Sequence, residues 1–172
     1  MYAQRKAPFT PRSNPGRFGY RPAPVRARIG LAMRRGMNFG ALDDAEAVMR
    51  GRGLSLAPMS VGEGGLNVGG TSVLPTAQAS DIDSGALKAL VVPAGSHDPD
   101  PNAATALDEV IARAGAKGVP VLAFGDGVGV ALRVLGRPAE AFAAAPAVLI
   151  TGDAVEPLAD AAELGAAAGR IQ

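Results

Sequence analysis

The sequence predicts an α/β fold: a doubly wound, mainly parallel sheet with a small β-hairpin excursion and an extended N-terminal arm. Three observations lead there. Short apolar runs recur at Arg26–Met33, Leu54–Met59, Ala86–Val92, Val119–Phe124 and Ala147–Ile150, as in strands covered on both faces. Between most of them lie longer stretches with apolar residues at helical spacing. Glycines, prolines and short polar residues punctuate the junctions. Strands and helices alternating in this way build a parallel sheet flanked by helices.

Residues 1–25 form the arm. Pro8, Pro11, Pro15, Pro22 and Pro24 run through it, a density that forbids regular helix and favours extended or polyproline-like backbone. Residues 26–172 form the α/β domain. Arg26–Met33 is its first strand, with Ile29, Leu31 and Met33 on one face. Asp43–Arg52 is a helix with Ala45, Val48 and Met49 inward, acids in its first turn where they suit the helix dipole, and Gly51 and Gly53 at its end. Leu54–Met59 is the second strand. Gly64-Gly65, Leu66–Val68, Gly69-Gly70 and Thr71–Leu74 read as a β-hairpin about a glycine turn. Ala86–Val92 is a central strand that stops at the loop Pro93–Pro101, rich in turn formers. A helix follows from Asn102 or Ala103 to Ala116, with Leu107, Val110 and Ile111 inward. The run Val119–Phe124 breaks at Gly125-Asp126-Gly127 and resumes as a helix to Leu135. Beyond Gly136-Arg137-Pro138, a helical segment in the Ala140s leads to the strand Ala147–Ile150. Thr151-Gly152-Asp153 breaks that strand, and Val155–Ala168 is expected as a closing alanine-rich helix.

Composition bounds the chemistry. A chain of 172 residues that is 48% hydrophobic and 19% charged can bury a core without external help. It contains no cysteine, which removes disulfides, thiolate catalysis and cysteine metal sites. No stretch approaches the ~20 apolar residues of a membrane span, and the basic N-terminal region is not followed by an apolar signal segment. A soluble, cytoplasmic protein is the expectation.

The net charge of +1 hides an asymmetry. Nine of the seventeen basic residues precede the first acid, Asp43, so the remaining eight face sixteen acids. The arm carries Arg5, Lys6, Arg12, Arg17 and Arg21 together with Phe9, Phe18 and Tyr20, and four of the chain's seven aromatics fall in its first 25 residues. Two partners suit it. A protein groove would take the aromatics as anchors, and a nucleic acid would have its phosphates neutralised by arginines and its bases stacked on rings.

The segment from Val119 to Leu132 reads as strand, tight turn and helix, the elbow at which many α/β enzymes hold a Ser or Cys nucleophile. Here the apex is Gly125, Asp126 and Gly127, and glycine can neither attack nor ligate. Asp126 reads as a general base or as a cap accepting backbone N–H bonds; the cap is favoured. His97, the one histidine, sits among Ser96, Asp98 and Asp100 in a turn-forming loop. Sequence neighbours do not point at one another as a catalytic triad requires, and one His with two Asp is too few donors for a metal. Gly125-Asp126-Gly127-Val128-Gly129 is similar to a phosphate-cradling loop but lacks the Rossmann third glycine and the Lys-Ser/Thr of a P-loop. No cofactor is predicted.

With those elements placed, the chain resembles the DJ-1/PfpI superfamily, also called class I glutamine amidotransferase-like, whose fold is flavodoxin-like. The resemblance rests on Met49-Arg50-Gly51-Arg52-Gly53 before a strand, the strand end Val91-Val92-Pro93-Ala94-Gly95, and the elbow Ala123-Phe124-Gly125-Asp126-Gly127. It spans roughly residues 26–170. Arg35–Leu42 and Leu149–Ala154 resemble segments of the C-terminal domain of large-subunit catalases. The resemblance implies Cys at the position of Gly125, often His at that of Asp126, and a Glu near Ala41; all three are absent here. Activities that depend on that cysteine are therefore not carried over.

These readings converge on a pseudoenzyme that acts as a structural or interaction subunit, through the arm, through self-association into a homo-oligomer, or both. Two alternatives stand beside it: a small-molecule site or residual activity in a degenerate pocket of Gly95, His97, Gly125 and Asp126, and nucleic-acid binding by the arm.

Overall fold

The structure, a computed structural model, describes residues 24–61, 66–68, 71–95 and 101–172. The arm residues Arg5, Lys6, Phe9, Arg12, Arg17, Phe18, Tyr20 and Arg21 lie outside the described residues, as do His97 and the glycine pairs Gly64-Gly65 and Gly69-Gly70.

The elements in chain order are β1 (Ala27–Ala32), α1 (Ala45–Gly51), β2 (Leu54–Met59), β3 (Leu66–Val68), β4 (Thr71–Val73), α2 (Ala79–Asp83), β5 (Leu90–Val92), α3 (Pro101–Ala116), β6 (Val121–Phe124), α4 (Asp126–Val134), β7 (Ala147–Thr151), β8 (Ala154–Leu158) and α5 (Ala161–Arg170). The main sheet has the order β2-β1-β5-β6-β7-β8, and β3 and β4 pair antiparallel as a separate hairpin. β2, β1, β5 and β6 are mutually parallel, whereas β7 and β8 run antiparallel to their neighbours.

The apolar runs predicted burial on both faces, and both faces are buried. On one side Leu90, Val92, Val121 and Ala123 pack with Ile82 of α2, Leu107, Val110, Ile111 and Ala114 of α3, and Val128, Ala131 and Leu132 of α4. On the other, Ile29, Val91, Leu122 and Phe124 pack with Ala45 and Met49 of α1 and Leu164, Ala167 and Ala168 of α5. The sheet is doubly wound, as expected.

The largest departure lies at the C-terminus. Val155–Ala168 is not one helix: Ala154–Leu158 is an edge strand paired with β7, and α5 begins at Ala161. Pro157 explains this, because a proline inside a helix lacks the N–H and clashes with the preceding turn, while an edge strand tolerates it. Gly152-Asp153 forms the two-residue hairpin loop, with Thr151 paired to Ala154 and a positive φ at Gly152 but not at Asp153, as in a type II′ turn. Arg137 Nη2 holds this loop through the Gly152 carbonyl (2.9 Å) and Asp153 Oδ1 (2.5 Å). The Asp160 carboxylate accepts from Glu163 N (2.9 Å), and Glu163 reaches back to Ala159 N (2.7 Å), so α5 starts where a capping pair permits.

Other differences are local. The strand expected over Ala86–Val92 is reduced to Leu90–Val92, although Lys88 N already bonds Arg28 O (2.9 Å). α2 was not predicted; its sequence signal is the capping pair Gln78 and Asp81. The Ala140s segment is one 3-10 turn, Glu140–Phe142. Gly51 lies inside α1, and Gly53, at φ +79°, is the residue that ends it.

Two glycines with open space where a side chain would stand separate backbone strain from packing: nothing lies within 4 Å of a Cβ at Gly152 (φ +57°) or at Gly129, in the interior of α4. Gly152→Ala should destabilise the fold by about 1 kcal/mol, and Gly129→Ala should stabilise it by about 0.5–1 kcal/mol. Denaturant titration of the two variants, compared with the parent, checks the opposite signs.

Candidate functional site

In an open α/β sheet the natural site lies beyond the carboxyl ends of the parallel strands, where consecutive connections leave in opposite directions. Here that point falls between β1 and β5, since β2 lies on one side of β1 and β5 on the other. Arg34 follows β1, Pro93-Ala94-Gly95 follow β5, and Gly125-Asp126 follow β6.

These three strand ends meet at Asp126. Its Oδ1 accepts from Gly95 N (2.9 Å) and from Arg34 Nη1 (3.2 Å), and its Oδ2 accepts from Arg34 Nη2 (3.2 Å). Arg34 Nη1 also donates to Pro93 O (2.9 Å). The pair is bidentate, with the Arg34 side chain 10% and the Asp126 side chain 50% exposed. A two-pronged contact open to solvent on one side contributes about 1 kcal/mol and fixes geometry as well. Asp126 is the first residue of α4, where the dipole favours a negative charge. The N-cap position is Gly125, so Asp126 stands one residue inside the helix, and the backbone N–H its carboxylate accepts is that of Gly95, outside α4. Its carboxylate instead ties β6 to β1 and β5.

The elbow is a sharp strand-to-helix turn built on glycine. Gly125 adopts φ +53°, ψ −127°, and its N–H donates to Pro146 O (3.0 Å). A Cβ placed there would lie 2.7 Å from the Ala94 methyl, closer than carbon atoms approach. Gly127 is equally confined, because its Cβ would meet Val92 O and Pro93 O at 2.8 Å each. The segment after β1 closes the other side: Asn38 N bonds Ala94 O (3.0 Å), the Phe39 and Phe124 rings meet edge to face at 5.0 Å, and the Cβ position of Gly40 is 3.8 Å from Gly125 Cα. The residue facing the elbow is thus Gly40, next to Ala41, and it too has no side chain.

Of the four residues expected to share a pocket, Gly95, Gly125 and Asp126 come together, and His97 lies outside the described residues. Arg34 and Ala94 were missed as site residues. The available signal for Arg34 was position, a cation directly after a parallel strand. For Ala94 it was size, a methyl in a strand-end loop that must pass close to the elbow. Among the described residues, no group of three or more His, Cys, Asp or Glu could hold a metal ion, and no helix is long and apolar enough to cross a membrane.

No family model and no curated protein matches the chain. Solved structures do. A Bacteroides thetaiotaomicron protein provisionally named protease I shares 15% identity at a TM-score of 0.58, over 85% of this chain and 99% of that one. A THiJ/PfpI family protein from Pseudomonas syringae shares 15% identity at a TM-score of 0.50, over 91% of this chain and 72% of that one. The fold is that of the DJ-1/PfpI proteins. An AraC family transcriptional regulator from Pseudomonas putida also matches, with 18% identity and a TM-score of 0.48; 63% of this chain covers 60% of that one's length. At these identities the likeness concerns architecture, and the chemistry rests on the residues present.

The fit at the elbow predicts a non-additive pair. Gly125→Cys should cost roughly 3 kcal/mol, from the positive φ and the clash with Ala94. Adding Ala94→Gly should return about 1–2 kcal/mol of it by removing the clash, although Ala94→Gly alone costs up to about 1 kcal/mol. A double-mutant cycle by chemical denaturation measures the coupling.

Proposed function

We propose that this chain is a non-catalytic DJ-1/PfpI-like protein of the cytoplasm that acts as a structural or interaction subunit, through its basic N-terminal arm and through self-association. One observation carries the reading: the nucleophile position is a glycine whose missing side-chain space is taken by the Ala94 methyl, 2.7 Å from where a Cβ would stand. An enzyme that had merely lost its cysteine would retain a vacancy for it. Here the space is filled, and the neighbouring carboxylate of Asp126 is held by Arg34 and Gly95 N. What remains available to a partner is the asymmetry of charge. The segment before residue 24 brings five cations and four aromatics without an acid, and rings flanked by arginines anchor protein interfaces.

The test compares the native chain with two full-length variants, one carrying Arg5→Gln, Lys6→Gln, Arg12→Gln, Arg17→Gln and Arg21→Gln, the other Phe9→Ser, Phe18→Ser and Tyr20→Ser. Affinity capture with nuclease treatment and light scattering over a concentration series should show defined protein partners or an oligomer that both variants lose. If both variants keep every partner and the same mass, the arm is not the binding element. Recovery of nucleic acid, with affinity falling steeply with salt as about 0.9 decade per decade for each phosphate contacted, would move the assignment to nucleic-acid binding.

A further inference from the structure

β2 is the edge strand of the main sheet, and a groove of about 780 Å³ runs beside it, lined by Leu54, Ser55 and Leu56 on the strand side and by α1 on the other. Gly53 O accepts from Arg26 N and Ala27 N, and Met59 O from Met33 N, so by alternation Leu54, Leu56 and Pro58 turn their backbone groups outward. Pro58 is closed to a further strand: it has no N–H, and its carbonyl accepts from Thr76 N (2.9 Å) and Ala77 N (3.0 Å). Leu54 and Leu56 each keep an outward N–H and C=O, with no strand beside them among the described residues. The open window is therefore short and centred on Ser55.

The helix wall carries both signs of charge in a fixed order. Asp43, Glu46, Ala47 and Arg50 line the groove at the i, i+3, i+4, i+7 spacing of one helix face, with the acids at its start, Asp44 beside them, and the cation at its end. Asp43 and Asp44 form no ion pair among the described residues. Glu46 and Arg50 pair with each other at 2.6 Å, yet their side chains stay 50% and 66% exposed. Ala47, exposed and small, leaves the middle of the face low. A partner of one charge sign would be attracted at one end of this face and repelled at the other. What matches an acid-to-base order is the same order reversed, and an edge strand matches itself in the same way when turned antiparallel. A second copy of this chain supplies both.

We infer that two copies of this chain pair their β2 edges antiparallel about a twofold axis at Ser55, joining their main sheets into one. Leu54 of each copy then stands opposite the partner's Leu56 and exchanges both backbone bonds with it, while Ser55 stands opposite the partner's Ser55 as the non-hydrogen-bonded pair. The axis is perpendicular to the sheet, so it keeps the two α1 helices on one face and turns them antiparallel, with Arg50 of each directed toward the partner's Glu46, Asp43 and Asp44. Pairing ends where the window ends, because the chain enters the edge from α1 at Gly53, and Thr76 and Ala77 occupy it at Pro58. So short a contact belongs to the small class of interfaces, below ~1,200 Å² in total, and the dimer is weak and concentration-dependent. The inference rests on the self-association in the proposed function and gives it a surface.

The chain has no cysteine, so Ser55→Cys introduces a single thiol. A non-hydrogen-bonded pair holds its Cα atoms ~4.5 Å apart, within the ~4.4–6.8 Å that a disulfide spans. On oxidation, full-length Ser55→Cys should form a covalent dimer at least about tenfold faster than Lys117→Cys at the same concentration, because paired edges hold the two thiols at a raised effective concentration. Arg50→Glu and Glu46→Arg, each added to Ser55→Cys, should each remove that advantage by setting like charges together, and an equimolar mixture of the two should recover it as a mixed dimer. Light scattering of the parent over a concentration series separates the possible failures. A parent that stays monomeric throughout overturns this pairing and the self-association reading together. A parent that dimerises while Ser55→Cys links no faster than Lys117→Cys, or while the charge variants link alike alone and mixed, overturns the β2 pairing and leaves self-association to another surface.

Discussion

The three parallel strand ends are held together by one carboxylate. Asp126 takes a bidentate bond from Arg34 after β1 and an N–H from Gly95 after β5, while it stands at the head of α4 after β6. The carboxylate joins three segments that would otherwise end independently at the sheet's rim. The consequence is steric as well as electrostatic: with Gly95 N drawn to Asp126, Ala94 is carried over the elbow and its methyl closes on Gly125.

Glycine at 125 therefore answers two constraints at once. The turn from β6 to α4 requires φ near +53°, and the loop after β5 leaves no volume for a Cβ. Either alone would favour glycine, and together they exclude any other residue without rearrangement of the neighbouring loop. Gly127 extends the same close approach to the first turn of α4, against the carbonyls of Val92 and Pro93. Sheet, elbow and helix are packed backbone to backbone here.

Much of this was legible in the sequence, for identifiable reasons. The runs Leu54–Met59 and Val121–Phe124 declare themselves because a strand covered on both faces has no polar alternation to obscure it. Leu107, Val110 and Ile111 gave the inward face of α3 from spacing alone. The closing segment misled because Val155 to Ala168 is alanine-rich, and composition outweighed Pro157, the one residue that decides between helix and edge strand. In the site, Gly125 and Asp126 were visible as a break between strand and helix. Arg34 and Ala94 were not, since what matters about them is the distance to residues 92 and 31 positions away in the chain, and no local pattern encodes it.

The sheet's two edges limit how such a body can associate. β8 carries Pro157 and an exposed Glu156, which discourage pairing with another strand. On β2 the upper half is closed by Pro58 and its bonds to Thr76 and Ala77, so edge exposure shrinks to the Leu54–Leu56 stretch beside the acids of α1. An approaching strand must then be short, must tolerate a carboxylate rim and gains from apolar rings. Those requirements limit pairing at this edge to a short stretch of strand.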